Sequence, residues 1–428
     1  MHNKKIWIMN HYATDNFYNK GGRHYWFAEN LIKNGYEPTI FCANTRHNSN
    51  DVIHIDHGKF ASKVSDTIPF VFVKTSPYHD NGIDRIKNML SFYKNLFPVA
   101  KEIANQYGKP DVILASSVHP LTLVAGIKIA KKLGVPCICE VRDLWPESIV
   151  AYGILKRENP FAKLLYQGEK WIYKKADAII MSWEGGKDYI VEQGWDTTVD
   201  VSKVYHISNG VVLDTFDQNS TNYPIEDADL ENNNYKNVVY TGSIRKVNNL
   251  GALLDAAKII QQKGNQNIRF LIYGSGNELD MLEKRCEDEK INNVIFKGQV
   301  EKKQVPAILK KATINILHNS STSLDRFGQS QNKLFEYLAA GKCIVQTYTT
   351  GYSVIEKYHC GISAPKQTPE DIAKAVITAC SNEEETIEMG NNARNAAYDF
   401  DFSILTNKLI NIVEHVTESE GSSNEPIR

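Results

Sequence analysis

The sequence predicts an α/β protein built from two doubly wound domains in series. Short apolar runs alternate with helical patterns along almost the whole chain, the texture of parallel sheets covered by helices on both faces. That alternation stops once, in the polar, Asn- and Asp-rich stretch 214–236, and then resumes, as expected of a connecting segment. The 428 residues, 42% of them hydrophobic, suffice for two cores of ordinary size rather than one.

Taken in order, the first series places strands at 6–9, 38–42, 71–73, 112–115, 136–140, 178–181 and 204–207. Helices fill the gaps, among them 23–34, ended by Gly35, and 121–133, capped by Gly134 in the left-handed region. The second series places strands at 238–240, 269–273, 294–296, 314–317, 343–346 and 361–363, with helices at 250–263, 278–289, 303–311 and 333–340 between them.

Charge narrows the partners. Lys plus Arg (49) nearly balances Asp plus Glu (50), which gives no support to a protein that tracks a nucleic-acid backbone but leaves a local basic face, and with it membrane-surface contact, open. The opening MHNKKIWIMN holds too short an apolar run for a signal-peptide core. No stretch approaches the roughly 18 apolar residues of a membrane span; the longest, 121–139, is cut by Lys128, Lys131 and Lys132. Seven scattered cysteines read as reduced thiols, and a cytoplasmic location is expected.

Candidate chemistry sits at the ends of strands. Gly21 and Gly22 open the helix after the first strand, where free amides and the positive helix end suit an anion; a plain turn and cap is the competing account. The loop is too long, and lacks the third glycine, for a dinucleotide fingerprint. Polar groups gather at 116–120, with His119, and at Glu140-Val-Arg-Asp-Leu-Trp-Pro-Glu-Ser148, with Arg142 and Asp143. A salt bridge closing the loop accounts for Arg142 equally well. In the second half, Gly242 permits close approach, and Arg245 or Lys246 can neutralise a diphosphate. Gly274 and Gly276 form another strand-to-helix turn. The densest cluster, 324–341, runs from a polar loop into a helix starting at Gln331–Lys333, whose first amides are free to bind phosphate. Glu336 lies just beyond that first turn, able to accept two hydroxyls of a ribose or sugar diol, or simply to favour the helix dipole.

In combination, these segments resemble glycosyltransferase family 4, retaining enzymes that include capsule and O-antigen transferases. The carriers are Gly21-Gly22, the 140–148 segment, Ser208-Asn-Gly-Val211, Tyr240-Thr-Gly242, Tyr273-Gly-Ser-Gly276, Phe296-Lys-Gly-Gln-Val300, and Arg326-Phe-Gly-Gln-Ser-Gln-Asn-Lys-Leu-Phe-Glu336 with Ala-Ala-Gly-Lys342. The resemblance spans nearly the whole chain. It implies a GT-B fold, two Rossmann-like domains facing a central cleft: 1–213 for the acceptor, 214–397 for the nucleotide-sugar donor, 398–416 returning as a helix to the first domain, and 417–428 a disordered tail.

The resemblance also implies roles. Gly21 and Gly22 would face the donor diphosphate, and Arg245 or Lys246 would compensate its charge. Gly242, Gly274 and Gly276 would line the donor site, and Gln299 and Val300 would hold the base through backbone groups. Ser330, Asn332, Lys333 and Leu334 would bind at the helix start, the last two through amides to phosphate, and Glu336 would take the ribose hydroxyls. Three departures stand out. Gly328 occupies the position eight before Glu336 where the family often has a second glutamate. Arg142 replaces a frequent strand-end histidine, with His119 on the preceding strand end. The usual Gly-Arg and later Lys have become Gly242-Ser243 followed by Arg245-Lys246.

The implied reaction moves a sugar, an N-acetylated hexosamine or a deoxyhexosamine, from a UDP-sugar to a saccharide or undecaprenyl-linked acceptor, with retention and with no metal or other cofactor. The leaving phosphate takes the acceptor proton, while His119 and Asp143 orient or deprotonate the acceptor hydroxyl. Asp227-Ala-Asp229 and Asp399-Phe-Asp401 mimic the metal-binding DxD of another architecture, but lie in the connector and in the C-terminal crossing region. The 82–108 helix mixes apolar and basic residues, which suits either a half-buried helix or peripheral contact with the inner membrane. The rivals are a UDP-sugar epimerase on the same plan and a non-catalytic nucleotide-sugar binding protein.

Overall fold

The computed structural model describes residues 3–421 except 48, 50 and 79–81. The chain divides into two compact units, Met1–Ser208 with Phe402–Arg428, and Asn209–Asp401.

The first unit runs β1 (Lys5–Met9), α1 (Thr14–Asn19), α2 (Arg23–Lys33), β2 (Glu37–Ala43), β3 (Phe60–Ser65), β4 (Ile68–Val73), α3 (Ile83–Tyr107), β5 (Val112–Ser116), α4 (Pro120–Leu133), β6 (Cys137–Val141), α5 (Glu147–Ala151), α6 (Pro160–Lys175), β7 (Ala178–Met181), α7 (Gly186–Glu192) and β8 (Val204–His206). Its sheet has the order β3-β4-β2-β1-β5-β6-β7-β8. Every pairing is parallel except β3 with β4. The inner strands are apolar on both faces, as a sheet covered on both sides requires. Strand β3, FASKVS, went unseen in the sequence because it is a short, half-polar edge, and Lys63 is the kind of charge that keeps such an edge from pairing further. Helix α1 also forms inside what reads as one long loop, 10–20.

The second unit runs α8 (Leu213–Asn222), β9 (Lys236–Thr241), α9 (Leu250–Gln262), β10 (Ile268–Tyr273), α10 (Leu279–Glu289), β11 (Val294–Gly298), α11 (Val305–Lys311), β12 (Ile314–Leu317), α12 (Asn332–Ala340), β13 (Cys343–Gln346), α13 (Val354–Lys357), β14 (Gly361–Ser363), α14 (Pro369–Ser381) and α15 (Glu383–Asp399). All its strands are parallel, in the order β11-β10-β9-β12-β13-β14. Alternate residues feed two cores on opposite faces: Val239, Leu271 and Ile344 enter one, and Val238, Phe270 and Ile314 the other. Helix α8 replaces part of the expected connector, because burying Leu213 and Phe216 outweighs the weak helix propensity of DTFDQNSTN.

The last helix, α16 (Phe402–Gly421), belongs to the first unit. Phe402 packs on Trp26 and Phe27 at ring distances of 4.7 and 5.4 Å, and Glu414 binds Lys4 and Tyr36. Residues 417–421, expected in a disordered tail, continue this helix; 422–428 lie outside the described residues. The division after Ser208 precedes the expected limit at 213. Val211 N–H donates to Phe400 O, and Leu213 N–H to the Asp401 carboxylate, which ties 209–213 to the second unit.

One buried carboxyl makes the first unit sensitive to pH. Glu169 on α6 is buried and accepts from Tyr173 Oη at 2.7 Å and Tyr189 Oη at 2.8 Å. Burial, only partly opposed by these two donors, pushes its carboxyl up to about 8. The folded chain therefore holds a proton that the unfolded chain has released, and stability falls as pH rises toward 8. Glu169→Gln should remove that dependence and stabilise the unit by about 3 kcal/mol at pH 8 relative to the wild type. Denaturant melts at pH 5 and pH 8 check this; parallel pH dependence in both proteins would contradict it.

Candidate active site

In open α/β sheets, ligands gather at the carboxyl ends of strands where the strand order reverses. In the first unit that point lies between β1 and β5, which neighbour each other but lead away in opposite directions. Asn10 and His11 follow β1, and Ser116 and His119 stand at the end of β5. Asn10 Nδ2 donates to Ser116 Oγ at 3.2 Å, and His11 Nδ1 lies 2.7 Å from His119 Nε2. His11 stacks on Phe92 of α3 at 4.6 Å. Burial lowers both imidazoles, His119 to about 4, with Arg85 adding to the effect, so both are neutral near pH 7. His119 Nδ1 is buried without a hydrogen-bond partner.

Beside this pair lies a buried charge cluster. Gly22, at φ +107°, turns the chain into α2 where a Cβ would sit 2.3 Å from Asn16 Nδ2. That turn sends Arg23 and His24 inward. Arg23 Nε donates to Glu140 Oε1 and His24 Nε2 meets Glu140 Oε2, both at 2.8 Å, while Ser116 Oγ donates to Oε2 at 2.6 Å. Arg23 also donates to the carbonyls of Ile207 and Ser208. Burial acts to raise the Glu140 carboxyl, but Arg23, then His24, hold it well below the usual carboxylate range. Arg142 follows β6, with its amide donating to Ser117 Oγ at 2.9 Å. Asp143 has an exposed surface, yet desolvation raises its carboxyl against the opposing pull of Arg142. It lines a small cavity of about 10 Å³ with Ser117, Trp145 and Glu169.

In the second unit the strand order reverses between β9 and β12. The β9 loop carries Gly242 and the β10 loop Gly274 and Gly276, and the two loops lock together. Gly242 N–H donates to Tyr273 O and Ile244 N–H to Ser275 O. A Cβ on Gly274 would lie 1.8 Å from Gly242 O, and one on Gly276 2.0 Å from Ile244 O. These two glycines therefore serve loop-to-loop packing. Arg245 and Lys246 stand exposed at the end of the β9 loop.

Lys333 reaches this point from the first turn of α12. Its Nζ lies 4.5 Å from the Tyr240 ring centre, 3.3 Å from Tyr240 Oη and 3.5 Å from the carbonyl of His318, the residue after β12. A Cβ on Gly242 would come within 3.2 Å of it. Desolvation lowers the amine to about 8, with Glu336 opposing. No carboxylate among the described residues makes an ion pair with it. The neighbouring groups are fixed. His318 is buried, lowered to about 4 by desolvation, and held between Thr347 Oγ1 at 2.7 Å and Asn249 O at 2.9 Å. Asp325 accepts from Ser321 Oγ and Thr322 N–H and anchors the loop before α12.

The remaining expected residues divide between ligand-facing and structural positions. Asn332 and Lys333 are the first two residues of α12, so their amides lack intrahelical acceptors, whereas Leu334 N–H donates to Gln331 O. Ser330 Oγ accepts from Asn209 N–H at 2.7 Å, pinning the start of the unit. Gln299 Oε1 accepts from Ser275 Oγ, and Val300 packs partly buried on the core. Glu336, half-buried, is bound by the exposed Lys302. Gly21 N–H donates to Asn16 O. The DxD look-alikes are structural: Asp227 binds Tyr273 Oη and Lys297, Asp229 binds Lys297 and Arg269, Asp399 binds Tyr358 Oη, and Asp401 binds the Leu213 amide. Sequence reasoning passed over His11, Arg23, His24, His318 and Tyr240. Only Arg23 and His24 carried a signal, as polar residues directly after Gly-Gly.

Two family descriptions match successive parts of the chain: "Glycosyltransferase Family 4" over residues 25–215 and "Glycosyl transferases group 1" over 224–396. Among curated relatives, an uncharacterized glycosyltransferase of Methanocaldococcus jannaschii is 24% identical over 53% of this chain and 55% of its own length, so that match spans about half the relative. The protein named "Probable glycosyltransferase WbjE" of Pseudomonas aeruginosa is 21% identical over 68% of this chain and 70% of its own. Among solved structures, trehalose 6-phosphate synthase of Burkholderia multivorans aligns with TM-score 0.71 at 11% identity, covering 100% of both chains. Sucrose-phosphate synthase of Thermosynechococcus elongatus aligns at 0.67 and 15%, covering 97% of this chain and 100% of its own. Anabaena HepE in complex with UDP aligns at 0.62 and 13%, covering 98% and 100%. The fold is GT-B, and the chain belongs to the family 4 glycosyltransferases.

Proposed function

We propose that the protein transfers the sugar of a UDP-sugar, with retention and without a metal ion, to a saccharide or undecaprenyl-linked acceptor in surface-polysaccharide synthesis at the cytoplasmic face of the membrane. The sugar is a hexose type, an N-acetylated hexosamine or a deoxyhexosamine. The observation that carries the reading is Lys333, a desolvated ammonium at a strand-order reversal with a hydroxyl and a carbonyl beside it but no paired carboxylate. A diphosphate supplies the missing anion. Arg245 and Lys246 add charge from the β9 loop, and the free amides of α12 complete the cradle. The likeness to a structure solved with UDP supports a uridine donor.

The chemistry then needs no protein nucleophile. Cations and helix amides stabilise the departing diphosphate, whose oxygen takes the acceptor proton. Neutral His119, with Nδ1 unpartnered, and Asp143 orient the acceptor hydroxyl. Incubating the protein with UDP-sugars, with and without a membrane-lipid extract, tests the reading. Acceptor-dependent UDP release with a retained anomeric centre is expected; sugar isomerisation without acceptor would make the protein an epimerase. Glu336→Ala should weaken UDP binding by about 1–3 kcal/mol if its carboxylate leaves Lys302 for the ribose hydroxyls. Unchanged affinity would restrict Glu336 to its pair with Lys302.

A further inference from the structure

Helices α3, α4 and α6 lie side by side on one face of the first unit's sheet, α4 packing against both of the others. Together they carry eleven Lys and Arg but only three Asp and Glu, in a chain whose net charge is -1. One of the three acids is the buried Glu169, whose carboxyl is turned inward to Tyr173 and Tyr189, and one of the eleven cations, Arg85, donates to Tyr12 Oη, which leaves ten against two. Charge balanced over the whole chain is thus strongly segregated onto this layer.

The same layer exposes large apolar side chains in register with the cations. On α6, Phe161 is 59% exposed, Leu164 67% and Trp171 36%. They recur at spacings of three and seven residues, so one outer stripe carries all three, and Lys163, Lys170, Lys174 and Lys175 flank it. The loop before α6 adds Ile154, 77% exposed, next to Lys156. The opposite face of α6, with Ala162, Tyr166, Ile172 and Tyr173, is buried in the unit, so the stripe is not core in waiting. On the neighbouring helices, Lys128 and Lys132 of α4 lie over the rings of Tyr93 and Phe97 of α3, and Ile86 and Leu90 are exposed beside Lys87.

We propose that this face, with α6 as its centre, is the surface by which the protein lies on an anionic lipid bilayer. Aromatic and leucine side chains in the middle with lysines at the flanks match an interfacial helix: the apolar stripe enters the headgroup boundary and the ammonium groups stay at the phosphates. Charge complementarity selects the occupant. An apolar protein interface has no use for so many like charges around its centre, and a nucleic-acid surface has none for Phe161 and Leu164. No described helix is long and apolar enough to cross a membrane, so the contact is peripheral. The inference goes beyond the transfer reaction in naming the docking surface, and it stands or falls separately from nucleotide binding.

Flotation with vesicles of phosphatidylglycerol and phosphatidylcholine, against phosphatidylcholine alone, tests it on the full chain. Binding to the anionic vesicles that weakens with added salt is expected. Lys163→Gln/Lys170→Gln/Lys174→Gln should lower the partition about a hundredfold at low salt. Phe161→Ser/Leu164→Ser, changing only exposed side chains, should lower it at every salt concentration. UDP binding by each variant shows that the fold is intact and separates failure of docking from failure of the transferase reading. Equal flotation with both vesicle types, binding unaffected by either variant, or a concentration-dependent dimer that the serine variant dissolves would overturn the proposal.

Discussion

Lys333→Ala should lower the affinity for UDP by about 2–3 kcal/mol, roughly thirty- to one-hundred-and-fifty-fold, without lowering thermal stability. The size follows from the site. The Lys333 ammonium is desolvated, and among the described residues its close partners are the Tyr240 hydroxyl and ring and the carbonyl of His318. A diphosphate there meets a charge that no described carboxylate pairs directly, Glu336 acting on it only from a distance. Stability should hold or rise, because the variant removes a charge that costs desolvation in the empty protein. The pH dependence is a second signature. The amine sits at about 8 in the free protein, and a bound diphosphate raises it, so binding takes up a proton near pH 8. Above that pH the amine is neutral and affinity declines, by up to about tenfold per unit. In Lys333→Ala that decline disappears. Calorimetry from pH 7 to pH 9 in both proteins checks the sign.

Arg23→Ala should destabilise the first unit by about 3–5 kcal/mol. Arg23 and Glu140 are both buried, and the guanidinium serves Glu140 and two backbone carbonyls at once. Truncation strands a buried carboxylate whose remaining described hydrogen-bond partners are His24 and Ser116, and takes their Arg23 donor from the carbonyls of Ile207 and Ser208. Arg23→Lys recovers little, because a single ammonium cannot span the three acceptors that the planar fork reaches. Arg23→Met with Glu140→Gln recovers part of the loss, since no charge remains to be stranded. Chemical denaturation of the three variants orders them; equal stability of Arg23→Ala and wild type would contradict the cluster's role.

Much of this was legible in the sequence, for identifiable reasons. The parallel strands are apolar runs bounded by turn residues, so their positions stood out even where their edges moved by one to three residues. What failed to stand out was marginal by composition. Strand β3 is a half-polar edge, and α8 is a poor helix former held by Leu213 and Phe216. The glycines after β9 and β10 were visible as loops, but not that Gly274 and Gly276 press on the carbonyls of Gly242 and Ile244. Such roles depend on which loops neighbour each other, and strand order is not written in any local pattern. The same limit hid the pairing of Glu140 with Arg23, which lie far apart in sequence and meet only because β1, β5 and β6 are adjacent. Lys333 was found for its helix-start amide; the position of its ammonium over Tyr240 needed the fold.

The central claim is that the second unit holds a nucleoside diphosphate at Lys333. Calorimetric titration of the intact protein with UDP, GDP, ADP and NAD tests it most directly. Saturable binding of UDP, stronger than that of the other three and reduced by Lys333→Ala, is the predicted result. Binding of none of the nucleotide diphosphates, or UDP binding indifferent to Lys333, would contradict it.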